Sequence, residues 1–264
     1  MNEAELLFTE ILGWDRASLY LNKDLPLNKD KASLISSVLK RRVLGEPLPY
    51  ILAKTEFMGL EFKLTKAVLI PRQETEILVE TVLKVAYGVQ GTVYSAKILD
   101  LGTGSGCIAV SLAKYLPQCQ IDALDISAGA LAVARENAKL NQVKVNFIQS
   151  DLFYNTELQL ATYDIIVSNP PYVASQDLKQ LQVEISYEPS RALDGGEDGL
   201  DFYRRIINES PKYLKPGGLL ILETGFRQRF SIEKIFQDSE VFKIIEVIPD
   251  YNNIERVIVA KKYG

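Results

Sequence analysis

The tetrapeptide Asn169-Pro170-Pro171-Tyr172 has residue types and a spacing that could hold a substrate carrying an N–H₂ group. Two successive prolines remove two backbone donors and stiffen the turn, so the segment presents mainly acceptors. These acceptors are the Asn169 side-chain carbonyl and the backbone carbonyls of Asn169 and Pro170. Tyr172 adds an aromatic face that can stack on an amide or a base. The same residues also suit an ordinary turn, because Asn and Pro are common turn residues.

The tetrapeptide directly follows an apolar run, Tyr163–Ser168, that predicts a buried strand. Open α/β sheets bind their ligands in a crevice at the carboxyl ends of the strands. The sequence therefore places Asn169 to Tyr172 at the edge of a sheet where a ligand is expected.

A glycine-rich loop, Asp-Leu-Gly-Thr-Gly-Ser-Gly at residues 100–106, joins a predicted strand to a predicted helix. Glycine lets a backbone pass close to a ligand and adopt positive φ, and the amino end of a helix offers free N–H groups. Asp125 ends the next predicted strand, about 20 residues further on, where its carboxylate can accept both hydroxyls of a ribose. The candidate cofactor-binding residues here are Gly102, Thr103, Gly104, Ser105, Gly106 and Asp125.

Two cofactors fit this loop, and a glycine turn without a ligand is the third possibility. Gly104–Ala109 matches the G-x-G-x-x-A form of the dinucleotide fingerprint, which keeps NAD as an alternative. The complete loop instead resembles the S-adenosylmethionine loop of class I methyltransferases, in which the aspartate, here Asp100, stays near the ligand. The tetrapeptide after the fourth strand of this region favours the methyl donor.

The segment Ser150-Asp151-Leu152-Phe153 follows the third predicted strand of this region, where the adenine ring lies in this fold. Asp151 could accept a hydrogen bond from the exocyclic amine, and Leu152 could cover the face of the ring. Simple core packing is the alternative for Leu152 and Phe153.

The elements that must position these residues alternate between strand and helix from Lys97 onward, which predicts parallel strands with right-handed crossovers. The expected class is α/β, a Rossmann-like S-adenosylmethionine-dependent methyltransferase domain with a mostly parallel sheet. Predicted strands cover 98–101, 120–124, 143–148, 163–167 and 219–223, a terminal strand pair covers 242–247 and 256–260, and predicted helices cover 75–86, 105–115, 127–140, 199–213 and 232–236. Pro211 is expected to break the penultimate helix.

Residues before this region predict a different organisation. Apolar spacing indicates short amphipathic helices at 1–12 and 31–44, the latter capped at Asn28 or Asp30. A hairpin is predicted around Phe57–Leu64. The predicted division is a helical, substrate-recognition domain at 1–54, a hairpin linker at 55–71 and a methyltransferase domain at 72–264. A purely structural role is the alternative for the helical domain.

Composition narrows the chemistry. Histidine is absent from the 264 residues, which excludes Ser-His-Asp and Cys-His catalysis and any histidine-ligated metal. The net charge of −4 gives no indication of a broad basic face for nucleic acid. No apolar run reaches membrane-spanning length, the acidic amino terminus lacks a signal-peptide pattern, and the two cysteines give no disulfide framework. A cytoplasmic protein is therefore expected.

Together these motifs resemble the HemK family, the protein-(glutamine-N5) methyltransferases of peptide-chain release factors. The resemblance runs from about Arg41 to Arg256. Its ordered matches include Gly45-Glu46-Pro47, Glu56-Phe57-Met58-Gly59, Pro71-Arg72-Gln73-Glu74-Thr75-Glu76, residues 100–109, 123–127, 150–153 and 168–172, Glu188-Pro189, and Leu214-Lys215-Pro216-Gly217-Gly218. The Pro-Arg-x-Glu-Thr-Glu segment favours this branch over the one that methylates a ribosomal protein. Ile254 replaces an arginine of the family's Asp-x-x-Gly-Arg-x-Arg run, and no role is assigned to it.

The resemblance implies a two-domain enzyme that uses S-adenosylmethionine, forms S-adenosylhomocysteine and methylates the glutamine of a Gly-Gly-Gln motif in class I release factors. We expect a monomer with no metal, no membrane association and no direct nucleic-acid contact. Asn169 Oδ1 and the Pro170 carbonyl would each accept one N–H of the glutamine amide, and Tyr172 would pack on the amide or the donor. Asn169, Pro170 and Tyr172 are thus the candidate catalytic residues, and Asn169, Pro170, Pro171 and Tyr172 the candidate substrate-binding residues. Asn169 is also a candidate cofactor-binding residue, as is Leu152.

Three other functions stay open at this point. An exocyclic base amine would also suit the tetrapeptide, as in a nucleic-acid adenine-N6 methyltransferase acting on a flipped base. The glycine loop alone supports an NAD-dependent dehydrogenase, and a non-catalytic binding protein could keep the same fold. For Arg72, Glu74 and Glu76, shaping of a substrate pocket and helix capping are equally compatible with the sequence.

Overall fold

The computed structural model describes residues 2–88, 95–154, 158, 160 and 162–263. The described helices are α1 (Glu3–Leu12), α2 (Arg16–Leu21), α3 (Lys29–Val43), α4 (Leu48–Leu52), α5 (Glu74–Tyr87), α6 (Cys107–Tyr115), α7 (Ala128–Leu140), α8 (Asp201–Glu209) and α9 (Arg229–Ser239). The described strands are β1 (Lys54–Phe57), β2 (Leu60–Lys63), β3 (Lys97–Leu101), β4 (Gln120–Asp125), β5 (Asn146–Gln149), β6 (Tyr163–Ser168), β7 (Leu214–Glu223), β8 (Phe242–Pro249) and β9 (Glu255–Lys262). None of these helices is both long and apolar enough to cross a membrane.

Seven strands form one sheet in the order β5-β4-β3-β6-β7-β9-β8. The first five in this order run parallel, and β9 is antiparallel to both β7 and β8. The predicted α/β class with a mostly parallel sheet is therefore confirmed. From β3 the chain adds β4 and β5 on one side, and it then returns to add β6 and β7 on the other side of β3. Ligands of open α/β sheets bind at such a switch point, here between β3 and β6.

Successive side chains of the central strands enter two separate cores, because side chains of a strand alternate between the two faces of the sheet. In β3, Ile98 belongs to one core and Leu99 and Leu101 belong to the other. Val167 and Ile166 of β6 divide in the same way. Burial on both faces fixes the strands, so their carboxyl ends form a rigid edge.

The helices before the hairpin pack around a small core of their own, which includes Leu7, Ile35 and Val38. The Asn2 side chain accepts from the Glu5 amide and the Glu5 carboxylate accepts from the Asn2 amide, which forms a capping box. Of the two predicted caps for α3, the structure uses Asn28. The domain limits 1–54, 55–71 and 72–264 stay predictions.

Several element limits differ from the prediction for local reasons. The strand predicted from residue 143 begins at Asn146, because Val143 donates to the Ala138 carbonyl and closes the end of α7. The strand predicted from Leu219 begins five residues earlier and includes the Pro-Gly-Gly segment, opposite an irregularity in β6. As predicted, the helix before it is interrupted near Pro211, where a 3-10 turn replaces it.

The hairpin of β1 and β2 is fastened to the sheet domain by Asn137 of α7. Its Oδ1 accepts from the Lys63 amide at 2.7 Å, and its Nδ2 donates to the carbonyls of Lys63 and Ser105 at 3.0 and 2.9 Å. The side chain is fully buried. One carboxamide therefore joins three segments that lie far apart in sequence.

Replacing Asn137 with alanine is expected to lower the free energy of unfolding by about 2 kcal/mol, because backbone groups of the hairpin and the glycine loop lose their partners inside the protein. Urea denaturation would measure the change. Asn208→Ala is the matched control, since Asn208 is exposed on α8. Equal stability of both variants would contradict a fastening role for Asn137.

Candidate active site

A cavity of about 350 Å³ opens at the carboxyl ends of the parallel strands, beside the switch point. The sequence-predicted residues that line it are Gly102, Gly104, Asp125, Asp151, Leu152, Asn169 and Pro171. Residues from four different strand ends thus converge on one space. This convergence follows from parallel strands, whose carboxyl ends lie at a single edge of the sheet.

Other predicted residues lie outside the lining of the cavity. Thr103 and Ser105 are buried residues of the glycine loop itself. Gly106 has φ of +81°, and a Cβ there would stand 3.0 Å from the Ala134 side chain, so it serves the packing of α6 on α7. It also explains why α6 begins at Cys107 instead of the predicted Ser105. Pro170 and Tyr172 do not line this cavity either.

The N–H groups of the glycine loop are largely occupied by the protein. The amides of Gly102 and Thr103 both donate to the Leu124 carbonyl, at 2.9 and 2.8 Å, and the Gly104 amide donates to Asp125 at 2.8 Å. These amides are therefore not the free donors that the sequence predicts. The loop offers a ligand a close, side-chain-free surface at Gly102 and Gly104 instead.

Asp125 holds its carboxylate in a fixed position at the rim of the cavity. Oδ2 accepts from the Gly104 amide and Oδ1 from the Ser127 amide, both at 2.8 Å. Burial raises the pKa of Asp125, while these two amides and Arg191 favour its charged form. Each carboxylate oxygen keeps further lone-pair capacity for a hydroxyl of a ligand.

Asp151 and Leu152 stand on the neighbouring wall. Asp151 Oδ1 forms an ion pair with Arg205 at 2.8 Å. Leu152 is buried with a left-handed backbone, φ +48°. It lines the cavity and also belongs to a core cluster. Leu152 therefore serves both predicted roles, because its side chain lines the ligand pocket and also packs in the core.

The Asn169 carboxamide has a defined neighbour that the sequence did not indicate. Its Nδ2 donates to the Thr75 hydroxyl at 3.0 Å. This contact turns Nδ2 toward α5, so Oδ1 points to the opposite side of the Cβ–Cγ axis. Among the described residues, none donates a hydrogen bond to Asn169 Oδ1 or to the Pro170 carbonyl. The acceptors predicted from the tetrapeptide therefore keep unused hydrogen-bonding capacity.

Tyr172 packs beside the core on the β7 side of the tetrapeptide. The Gln228 side chain donates to the Tyr172 carbonyl at 2.9 Å, and a Cβ at Gly199 would stand only 2.4 Å from the same oxygen. Burial raises the pKa of Tyr172 to about 12. The phenol therefore stays neutral at physiological pH, and its backbone is held by the loop that follows.

Arg72, Glu74 and Glu76 make contacts outside the cavity. Arg72 forms an ion pair with the buried Glu188, which also accepts from the Ile70 amide at 3.1 Å. Glu76 accepts from the Met58 amide at 2.6 Å and so fastens the hairpin turn to α5. Glu74 lies in the first turn of α5. A role of these residues in substrate binding stays a prediction.

Ile254, which stands where the family pattern has an arginine, lies in a tight turn near the C-terminus. Asp250 Oδ1 accepts from the amides of Asn252 and Ile254, at 2.8 and 2.9 Å, and Oδ2 accepts from Arg256 at 3.0 Å. Asn253 has φ of +59°, a left-handed conformation that asparagine tolerates. The backbone amide of Ile254, not its side chain, serves the turn.

Sequence reasoning missed several residues of the cavity. Val68 and Leu69, assigned only to a linker, cover it from the side of the hairpin. Arg191 and Phe202 line it from the long segment after the tetrapeptide. Across the described parts of the chain, no group of three or more Cys, Asp or Glu side chains is placed to hold a metal ion.

The sheet order, the glycine loop and the tetrapeptide at the switch point define a class I methyltransferase. Residues 73–197 match the family model of the methyltransferase small domain, and residues 1–52 match that of the PrmC N-terminal domain. A methyltransferase structure from Pyrococcus furiosus has the same fold, with a TM-score of 0.59 and 18% identity over 87% of this chain and 100% of that one.

Similarity to curated relatives extends over nearly the whole chain. The release factor glutamine methyltransferase of Geobacter sulfurreducens is 44% identical over 97% of this chain and 87% of its own length. That of Thermodesulfovibrio yellowstonii is 40% identical over 99% and 92%. The chain belongs to the release factor glutamine methyltransferase family, as the sequence resemblance predicted.

Proposed function

We propose that this enzyme transfers a methyl group from S-adenosylmethionine to the side-chain nitrogen, N5, of the glutamine in the Gly-Gly-Gln motif of a class I release factor. The observation that carries this proposal is the Asn169 carboxamide beside the cavity. Its Nδ2 is held by Thr75, and its Oδ1 has no donor among the described residues. A carboxamide acceptor next to the Pro170 carbonyl matches the two N–H groups of a glutamine amide.

The residues of the cavity fit the donor. Asp125 presents a fixed carboxylate for the two ribose hydroxyls. Gly102 and Gly104 leave room for close approach of the methionine part, and Leu152 and Asp151 line the wall proposed for the adenine. Asp100 is fully buried under the loop, without lining the cavity, so it would act through the loop.

S-adenosylmethionine supplies a sulfonium-bound methyl carbon that is already strongly electrophilic. The glutamine nitrogen is a poor nucleophile, because its lone pair is delocalised into the carbonyl. Asn169 Oδ1 and the Pro170 carbonyl hold its two N–H groups and aim the lone pair at the methyl carbon. Orientation of this kind can contribute roughly 7–11 kcal/mol.

The transfer balances without a histidine base. The S–CH₃ bond breaks with its electron pair going to sulfur, which leaves S-adenosylhomocysteine, and the N–CH₃ bond forms. One N–H proton then leaves to water or through a backbone acceptor such as the Pro170 carbonyl. Tyr172 stays a neutral phenol. It does not line the cavity itself, and we assign it to packing beside the substrate amide.

The protein substrate agrees with the charge of the enzyme. A net charge of −4 does not favour the phosphate contacts on which nucleic-acid affinity rests. We propose a metal-free, cytoplasmic monomer whose helices at 1–54 recognise the release factor, whose hairpin at 55–71 links them to the sheet, and whose residues 72–264 carry out transfer.

Methyl transfer from labelled S-adenosylmethionine to a purified class I release factor tests this function. A release factor with Gly-Gly-Ala in place of Gly-Gly-Gln is the matched control, beside a panel of DNA and RNA. Label on the unchanged factor alone is expected. Label on nucleic acid alone would replace the proposal with adenine methylation, and label on the Gly-Gly-Ala factor would place the modified residue elsewhere.

A further inference from the structure

Glu223 is a buried carboxyl group that the mechanism above does not use. It ends β7, and the pairing of Ser168 with Leu222 makes Asn169 and Glu223 the next residues on neighbouring strands. Glu223 is 1% exposed, and its Oε2 has no hydrogen-bond partner among the described residues. An ionisable group in such a place is costly to bury and is a candidate for a function.

Thr75 of α5 bonds to Asn169 and acts electrostatically on this carboxyl group. The Thr75 hydroxyl accepts from Asn169 Nδ2 at 3.0 Å, and it also favours the charged form of Glu223. A hydroxyl has a single proton to donate. When that proton is directed to the Glu223 carboxylate, only a lone pair of Thr75 is left to face Asn169, and the donor end of the carboxamide must turn toward it.

We propose that Glu223 is a positioning residue that acts through Thr75 to hold the Asn169 carboxamide with Oδ1 directed at the substrate amide. This inference rests on the proposed function, because it assigns a cause to the orientation that the transfer requires. Neither Thr75 nor Glu223 touches the substrate.

Protonation of Glu223 reverses the direction of the hydrogen bonds between Glu223, Thr75 and Asn169. A protonated carboxyl group can donate to Thr75, so the Thr75 proton becomes free to point at Asn169. A donor facing the carboxamide stabilises the flipped amide, in which Oδ1 faces Thr75 and Nδ2 faces the substrate. The flipped amide cannot accept from the glutamine, so transfer needs the ionised form of Glu223.

Titration of Glu223 falls within an accessible pH range. Burial raises its pKa to about 7, against the opposing effects of Thr75, Arg256 and Arg72, while Glu74 raises it further. Tyr172, Tyr203 and Cys107 also interact with Glu223, and their pKa values are all raised, so they stay neutral. Burial also raises the pKa of Asp100, which acts on the same Cys107, to about 7. Because the ionised carboxylate is the productive form, kcat is expected to fall as pH drops below about 7.

The test compares Thr75→Val, Thr75→Ser and Glu223→Gln with the unchanged enzyme, at saturating donor and release factor. Thr75→Val keeps the shape of the side chain and removes the hydroxyl. It is expected to lower kcat about tenfold or more, because a 1 Å misplacement can cost about a hundredfold. Donor affinity by calorimetry is expected to stay within about twofold, and Thr75→Ser to restore most of the rate.

The pH profile separates positioning from a merely structural role. Glu223→Gln cannot ionise, so its kcat is expected to be low and to lack the acidic limb near pH 7 that the unchanged enzyme shows. Should Glu223→Gln keep that limb, or Thr75→Ser be as slow as Thr75→Val, the inference is overturned. Thermal unfolding of each variant confirms that the folded enzyme is being compared.

Asn169→Ala, measured in the same assay, separates the positioning role of Thr75 and Glu223 from the proposed use of Asn169 itself. An inactive Asn169→Ala beside a fully active Thr75→Val would overturn the positioning role alone. A fully active Asn169→Ala would overturn the proposed use of Asn169 itself, whatever the other variants show.

Discussion

Asn169→Ala is expected to lower kcat for methylation of a class I release factor by about a hundredfold to a thousandfold, while S-adenosylmethionine binds with nearly unchanged affinity. The substitution removes Oδ1, which we assign to one N–H of the glutamine amide. A group that fixes the reacting atoms in a site closed to water contributes on this scale when it is deleted. Radiolabel transfer measures the rate, and calorimetry measures donor affinity.

Two further variants make the Asn169 result specific. Asn208→Ala removes a carboxamide of the same size from the exposed face of α8 and is expected to keep the full rate. Asn169→Asp keeps an acceptor of the same shape but lacks the N–H₂ group that donates to Thr75. It is expected to lie between alanine and the unchanged enzyme. If Asn169→Ala turns over at nearly the rate of Asn208→Ala, the proposed mechanism is wrong.

The sheet and the general position of the site could be predicted because each rests on local patterns. Apolar runs separated by amphipathic segments predict parallel strands, and the carboxyl ends of such strands must share one edge. Asp125 and Asn169 were predicted to meet there for this reason, and both line the cavity. The order of strands brings them together, although about 40 residues separate them in sequence.

Other features of the site depend on contacts that no local pattern records. Thr75 looked like the start of a helix, yet its hydroxyl is the partner of Asn169 because the first turn of α5 lies beside the end of β6. Val68 and Leu69 lie in a short connection, and tertiary contacts such as the attachment of the hairpin at Asn137 hold that connection over the cavity. Tertiary placement, not residue type, selects these positions.

The position of the glycine loop was predicted correctly, but the predicted role of its N–H groups was wrong. Its position between β3 and α6 was predicted, but its N–H groups were expected to be free for a ligand. Gly102 and Gly104 instead donate to Leu124 and Asp125, which fixes the loop against β4. The glycines therefore serve close approach and backbone conformation, and the anchoring of the loop depends on the same carboxylate that we assign to the ribose.

This double role makes Asp125→Ala the substitution with the largest expected effect on donor binding. The variant removes the acceptor for two ribose hydroxyls and the restraint on the Gly104 amide. Hydrogen bonds to a charged group contribute roughly 1.5–3 kcal/mol each. We expect S-adenosylmethionine to bind about a hundredfold more weakly by calorimetry, with a smaller change in kcat once the donor is saturating.

The charge of Asp125 predicts how donor affinity changes with pH. Burial raises the pKa of the carboxyl group, and its ionised form is the better acceptor of ribose hydroxyls. Donor affinity of the unchanged enzyme should therefore fall as the pH is lowered through that raised pKa, and Asp125→Asn should bind weakly without this dependence. Asp238→Ala, which removes an exposed carboxylate, is the control for net charge. Equal donor affinity of Asp125→Ala and Asp238→Ala would show that the ribose is held elsewhere, because loss of an acceptor that binds both ribose hydroxyls cannot leave donor affinity unchanged.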